Sequence, residues 1–295
     1  MEIQINNTNT TFKSRYESLN VLNPISYYTN RYFSKSAKIS SRNIEEISSD
    51  LCGKIKYTEI KHKQKILAAW DINPDNSKEY VFFLHGMAQN VTNYQKLYKK
   101  ILDKNKGVFA LEYRGYGMSS PGAKISETRF KRDIEAAFQH LVNKNKINPK
   151  NITIIGHSMG GSLAAHLASK HPDAKSLILI CPISDMEHIG QKFSINKNIG
   201  QGIPKKLKEI TDKIGPLRWL YNLKFNTIKH MENINVPTYI IQSKNDTVTI
   251  SSGAEKLAKT AKKRGILKDY IVTPLGGHKV DSKKIDIVSD ILDKL

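Results

Sequence analysis

The stretch NITIIGHSMGGSLAAHLASKHP, residues 151–172, runs an apolar segment into a serine set between glycines, and then into an Ala-rich segment. NITIIG has the continuous apolar character of a buried strand, and SLAAHLASK has the composition of a helix. Gly156-His157-Ser158-Met159-Gly160 therefore sits between strand and helix, the context of a Gly-x-Ser-x-Gly nucleophile elbow. Gly156 and Gly160 have a steric task there, because a side chain at either position would crowd the tight turn. Ser158 is thrust out at the carboxyl edge of a sheet, beside a helix N-terminus whose dipole favours developing negative charge.

The flanking sequence repeats the strand–helix alternation. YVFFLHG, GVFALEY, KSLILIC, PTYIIQS and DYIVTPL read as strands, and NYQKLYKKILDK and SETRFKRDIEAAFQHLVNKN as amphipathic helices. Continuous apolar strands alternating with helices predict an α/β domain whose mostly parallel sheet is covered on both faces. KIKYTEI and QKILAAWDI, ahead of this series, read as a hairpin. Residues 1–50 form a polar arm, partly mobile, so the domain proper is expected over 51–295. Between CPISD and NVPTYIIQS the rhythm breaks for roughly 50 residues, and a connection that long marks a functional insertion. It is read as a small helical cap over 186–232.

A serine hydroxyl needs a base and an acid. His278, in TPLGGHKVD, lies in a Gly-flanked loop after the last strand, where an imidazole is free to project. His62, His140, His166, His171, His188 and His230 lie in helical or charged contexts that suit surface roles, and His157 is too close in sequence to turn back on Ser158. Asp246, in QSKNDTVTI, follows a strand and gives the order Ser, Asp, His along the chain. Asp185, in CPISD, is the alternative acid. His85-Gly86 ends an earlier strand, and the amides of Met87 and Met159 are the expected pair of oxyanion-hole donors.

Four segments, HGMAQN, YRGYGMSSPG, GHSMGG and ND…GGH, resemble the α/β-hydrolase superfamily over residues 54–295. Within it, LEYRGYGMSSPG is similar to the branch holding Bem46-like hydrolases, monoglyceride lipases and serine-aminopeptidase-like esterases. The resemblance implies an eight-stranded sheet in the order 1-2-4-3-5-6-7-8. It also implies a triad of Ser158, His278 and Asp246, with the Met87 and Met159 amides as oxyanion hole. Glu112 stands where many relatives carry Asp, and Lys279 where they carry a small or acidic residue.

These residues predict a serine hydrolase acting on small-molecule acyl esters or thioesters. An amidase or aminopeptidase on the same triad is the second reading, and a non-catalytic binding protein of this fold the third. Apolar cap residues such as Phe193, Leu207, Trp219 and Phe225 would line an acyl pocket, whereas cap acids that would hold a substrate amine are few. No cofactor or metal is called for, since Cys52 and Cys181 form neither a disulfide framework nor a metal-ligand spacing. The formal net charge of +20 comes mostly from scattered Lys. It is read as a compositional habit, with weak contact with anionic membrane surfaces as the other reading; no nucleic-acid motif accompanies it. With neither an apolar span nor the basic-then-apolar order of a signal peptide, a cytoplasmic location is expected.

Overall fold

The computed structural model describes residue 51 and residues 55–62, 65–73, 76–87, 89–119, 126–185 and 224–295. The polar arm over 1–50, Cys52 and cap residues 186–223 lie outside the described residues.

Strands β1 (Ile55–His62), β2 (Lys65–Ile72), β3 (Tyr80–Leu84), β4 (Gly107–Glu112), β5 (Ile152–His157), β6 (Ser176–Ile180), β7 (Thr238–Ser243) and β8 (Leu267–Thr273) form one sheet. Their order is β1-β2-β4-β3-β5-β6-β7-β8, as the resemblance implied. β1 and β2 pair antiparallel as the expected hairpin, β2 also runs antiparallel to β4, and every later pairing is parallel. The strands read from DYIVTPL and SLILIC shift by one or two residues. β8 starts earlier, at Leu267, and ends at Thr273, before Pro274, which has no amide to give to a ladder.

Both faces are packed because the strand side chains alternate. Tyr80, Phe82 and Leu84 of β3 enter one core, together with Phe109 and Leu111 of β4 and Ile152 and Ile154 of β5. Helices α2 (Glu127–Asn143), α3 (Met159–Lys170) and α5 (Ser251–Lys263) cover that face through Phe130, Ile134, Phe138, Leu163 and Leu257. Val81, Phe83, Val108 and Ile155 point the other way, against Leu97, Tyr98 and Ile101 of α1 (Gln95–Leu102) and Val288 and Ile291 of α6 (Ser282–Asp293). The two-residue strand period thus assigns each strand to two cores at once.

Short helix α4 (Thr227–Met231) returns the chain from the insertion to β7. Phe225 and Met231, read as cap residues from the sequence, are fully buried in the first core. Thr227 anchors this return by donating its amide to the Ser184 carbonyl at 2.9 Å.

The loop after β4 is held from beneath. Arg114 makes a bidentate pair with Asp133 of α2, both buried. Burial pushes the Asp133 carboxyl upward even against the lowering effect of Arg114, which marks a largely desolvated pair. Replacing Arg114 by Met leaves Asp133 buried without its partner, and urea unfolding should show a loss of about 3–5 kcal/mol. The double variant Arg114→Met/Asp133→Leu should regain most of that loss, because no lone charge remains buried.

Candidate active site

Loops at the carboxyl ends of β3, β5, β7 and β8 converge on Ser158. β5 ends at His157 and α3 begins at Met159, so a single residue makes the turn. The helix starts three residues earlier than the sequence SLAAHLASK suggested, because Met159, Gly160 and Gly161 are already helical. Ser158 takes φ 57° and ψ −118°, a conformation that L-residues adopt rarely. Its amide donates to the Ile180 carbonyl at 3.0 Å, and its own carbonyl receives the amides of Gly161 and Ile183. The two elbow glycines are required by space. A Cβ on Gly156 would sit 2.2 Å from the Gly160 carbonyl oxygen, and one on Gly160 would sit 2.1 Å from that of Leu84.

As the N-cap of α3, Ser158 makes no side-chain capping bond. Its Oγ instead lies 2.9 Å from His278 Nε2, and His278 Nδ1 lies 2.9 Å from Asp246 Oδ2. An ionised carboxylate only accepts, so Nδ1 carries the proton and Nε2 is left to accept from the serine hydroxyl. Asp246 is the acid that reaches the imidazole. Asp185, half-buried after β6, is approached by the Ser184 hydroxyl at 3.4 Å.

Asp246 is tightly surrounded. It accepts from the amides of Val248 (2.7 Å) and Thr249 (2.9 Å), from the Thr249 hydroxyl (2.7 Å) and from Gln242 Nε2 (3.4 Å). Burial alone would raise its carboxyl, but the hydrogen bond and charge of His278, with Thr249 and the Val248 amide, hold it well below the usual carboxylate range. The structure brings Asp246, expected from the sequence, to His278, and adds Thr249 and Gln242, which sequence reading did not single out although both lie within four residues of it.

The histidine loop turns through Gly276 (φ 107°) and Gly277 (φ 55°), where a side chain would be strained. It is braced from α6: Lys284, fully buried, donates through Nζ to the Lys279 carbonyl at 2.9 Å. The Gly277 amide donates to Asn245 Oδ1 at 2.9 Å.

On the other side, Gly86 abuts the serine, since a Cβ there would lie 3.3 Å from Ser158 Cβ. Met87 follows directly, and Met159 directly follows Ser158, so both predicted donor amides lie at the serine's end of the sheet. The loop is supported by Glu112, whose Oε1 accepts the Val91 amide (3.1 Å) and whose Oε2 lies 3.4 Å from His85 Nε2. Tyr113 donates its hydroxyl to the His85 carbonyl at 2.9 Å. Glu112 thus supports the loop that carries His85 and Val91.

Other histidines depart from the surface roles expected of them. His166 on α3 and His230 on α4 are half-buried and face each other with ring centroids 4.8 Å apart. Among the described residues one trio offers metal-type ligand atoms within 4.8 Å of one another: Cys181, Asp246 and His278. Two of these are already bonded to each other, and burial pushes the Cys181 thiol up to about 12, which disfavours a thiolate ligand.

The model of the family described as serine aminopeptidase, S33, matches residues 75–222. The chain belongs to that family, within the α/β-hydrolases. It is 26% identical over 219 residues to the α/β-hydrolase domain-containing protein WAV2 of Arabidopsis thaliana, covering 72% of this chain and 68% of WAV2. Among solved structures, an α/β-hydrolase from Vibrio vulnificus superposes with a TM-score of 0.71 at 21% identity, covering 92% of this chain and 94% of that one. The esterase Pf2001 of Pyrococcus furiosus gives 0.67 at 20% identity, over 84% of this chain and 92% of its own. No helix among the described residues is long and apolar enough to cross a membrane.

The depressed Asp246 carboxyl fixes the sign of a pH effect. A group whose value is lowered on folding adds stability that is fully present above its unfolded value, near 3.8, and is lost as pH falls through the folded one. Between about pH 5 and pH 2 the wild type should therefore lose stability more steeply than Asp246→Asn, as followed by urea unfolding at each pH.

Proposed function

We propose that the protein is a serine hydrolase that cleaves carboxylic esters or thioesters of acyl, lipid-like substrates through an acyl-enzyme on Ser158. The observation that supports this most is the unbroken relay from Ser158 Oγ through His278 to Asp246, with 2.9 Å at each step.

In this reading His278 Nε2 takes the hydroxyl proton as Ser158 Oγ attacks the substrate carbonyl. The C–O π bond opens to an oxyanion, received by the amides of Met87 and Met159. Collapse of the tetrahedral intermediate breaks the bond to the alkoxide or thiolate, which leaves with the proton from His278. Water then enters, gives its proton to the same nitrogen and attacks the acyl carbon, releasing the acid and restoring the serine. Asp246 stays ionised throughout, holding the tautomer and stabilising the imidazolium. The tight donor set around Asp246 suits that task, since it keeps the carboxylate from taking a proton.

The description of the P. furiosus neighbour as an esterase favours esters. The family description, serine aminopeptidase, supports a second reading on the same residues, cleavage of aminoacyl amides. The cap residues that would decide between them, including Lys192, Lys197, Lys205, Lys206 and Lys208, which suit an anionic head group, lie outside the described residues.

The test pairs turnover of p-nitrophenyl acyl esters of graded length with turnover of aminoacyl p-nitroanilides. Esters should be hydrolysed and anilides not; the reverse would install the aminopeptidase reading. Ser158→Ala should lower kcat by about 10⁴–10⁶ and abolish labelling by a fluorophosphonate probe. Asp246→Asn should lower kcat by up to about 10⁴, whereas Asp185→Asn should leave it within a few-fold.

A further inference from the structure

We propose that His157 is a positioning residue that ties the loop bearing Met87 to the loop bearing His278, so that the two sides of the site are set as one unit. The inference rests on the hydrolase reading above and adds a residue to which that reading gives no role.

His157 is 1% exposed, with its ring centroid 5.0 Å from that of His278. Its Nε2 lies 2.7 Å from the carbonyl oxygen of His278. A carbonyl only accepts, so Nε2 carries the hydrogen and Nδ1 must accept. The donor is at hand: the Tyr94 hydroxyl stands 2.8 Å from Nδ1. The same hydroxyl oxygen accepts the amide of Gly86 at 3.0 Å, one residue before Met87; the hydroxyl also lies against Gln89 Oε1, itself 3.2 Å from Nδ1, so its single proton is shared between Nδ1 and that oxygen. The result is one chain of hydrogen bonds from the Gly86 amide, through Tyr94 and the His157 ring, to the backbone of His278.

Two features make this chain consequential. The His278 loop passes through two glycines at positive φ, so the local backbone restricts it little, and its place is set by contacts from outside. Lys284 and Asn245 hold residues on either side of His278, and the His157 ring holds the carbonyl of His278 itself. There is also no slack at the other end. A Cβ on Gly86 would lie 3.0 Å from His157 Nδ1, so the Gly86 backbone packs directly against the ring. Burial, followed by repulsion from His278, holds the His157 imidazole down to about 3, which keeps it neutral at working pH, and the His278 carbonyl selects the tautomer.

The experiment measures kcat and KM on a p-nitrophenyl ester for wild type, Tyr94→Phe, His157→Gln, His157→Leu and Tyr94→Phe/His157→Leu. Circular dichroism and thermal melts accompany each. His157→Leu should lower kcat by about 10²-fold with KM unchanged, since displacement of a catalytic group by about 1 Å has that effect. His157→Gln, whose amide retains a donor, should recover most of the rate. Tyr94→Phe removes one oxygen and should lower kcat by about 10-fold. Because Tyr94 and His157 are links of one chain, breaking both should cost little more than breaking one, and the double variant should lie within a few-fold of His157→Leu. Folded variants with wild-type kcat, no rescue by Gln, or multiplying effects would overturn the inference.

If the His157 variants do not fold, ¹⁵N NMR of the wild-type imidazoles decides: an Nε2–H tautomer at His157 supports the chain, and an Nδ1–H tautomer ends it. A wild type that neither hydrolyses esters nor takes a fluorophosphonate would instead sink the hydrolase reading, and this inference with it.

Discussion

The rest of the site depends on one backbone turn, Ser158 at φ 57°, which carries the chain from β5 into α3 with no linker. Such a conformation in a non-glycine residue costs about 1–3 kcal/mol and persists only where its surroundings over-determine it. Here they do. Both flanking elements are buried along nearly their whole length, and the Ser158 amide is tied to Ile180 of the neighbouring strand. Gly160 brings the first turn of α3 close to the end of β3, and Gly156 brings it close to β5. The same close approach sets His85-Gly86 against the serine. Relaxing the turn would move the Ser158 hydroxyl, the helix N-terminus and the adjoining loop together.

Around that turn three buried ionisable groups lie beside polar partners. Asp246 is enclosed by His278, Thr249 and two backbone amides, Arg114 is matched by Asp133, and Glu112 faces His85. A buried charge left alone would be expensive. Here the fixed donors supply what water would otherwise supply, and they do so without having to reorient. The loops at the site are thereby positioned by pairs reaching down into the sheet and helices.

Much of this was legible in the sequence, for physical reasons. β3 to β7 are buried on both faces, so their apolar runs stand out. The elbow glycines betray a steric need local to five residues; chain order is the same for Asp185 and Asp246, and it is the 2.9 Å approach of Asp246 to His278 that separates them. What stayed hidden depends on distance along the chain. His157 meets Tyr94 across 63 positions and His278 across 121, and no local pattern announces either contact. Lys284 reads as one of many surface lysines yet is fully buried under the histidine loop. Phe225, read as part of a cap pocket, is a core residue, because the return from the insertion is packed before α4 begins.

Ester cleavage by the proposed route requires that Ser158 itself become acylated. The most direct measurement is acid-quench mass spectrometry of the protein mixed for milliseconds with excess p-nitrophenyl butyrate, followed by peptide mapping. A butyryl group should appear on the peptide containing Ser158, forming in a burst and decaying at the turnover rate. Ester hydrolysis with the acyl group mapped to another side chain, or with no covalent intermediate at any quench time, would contradict it.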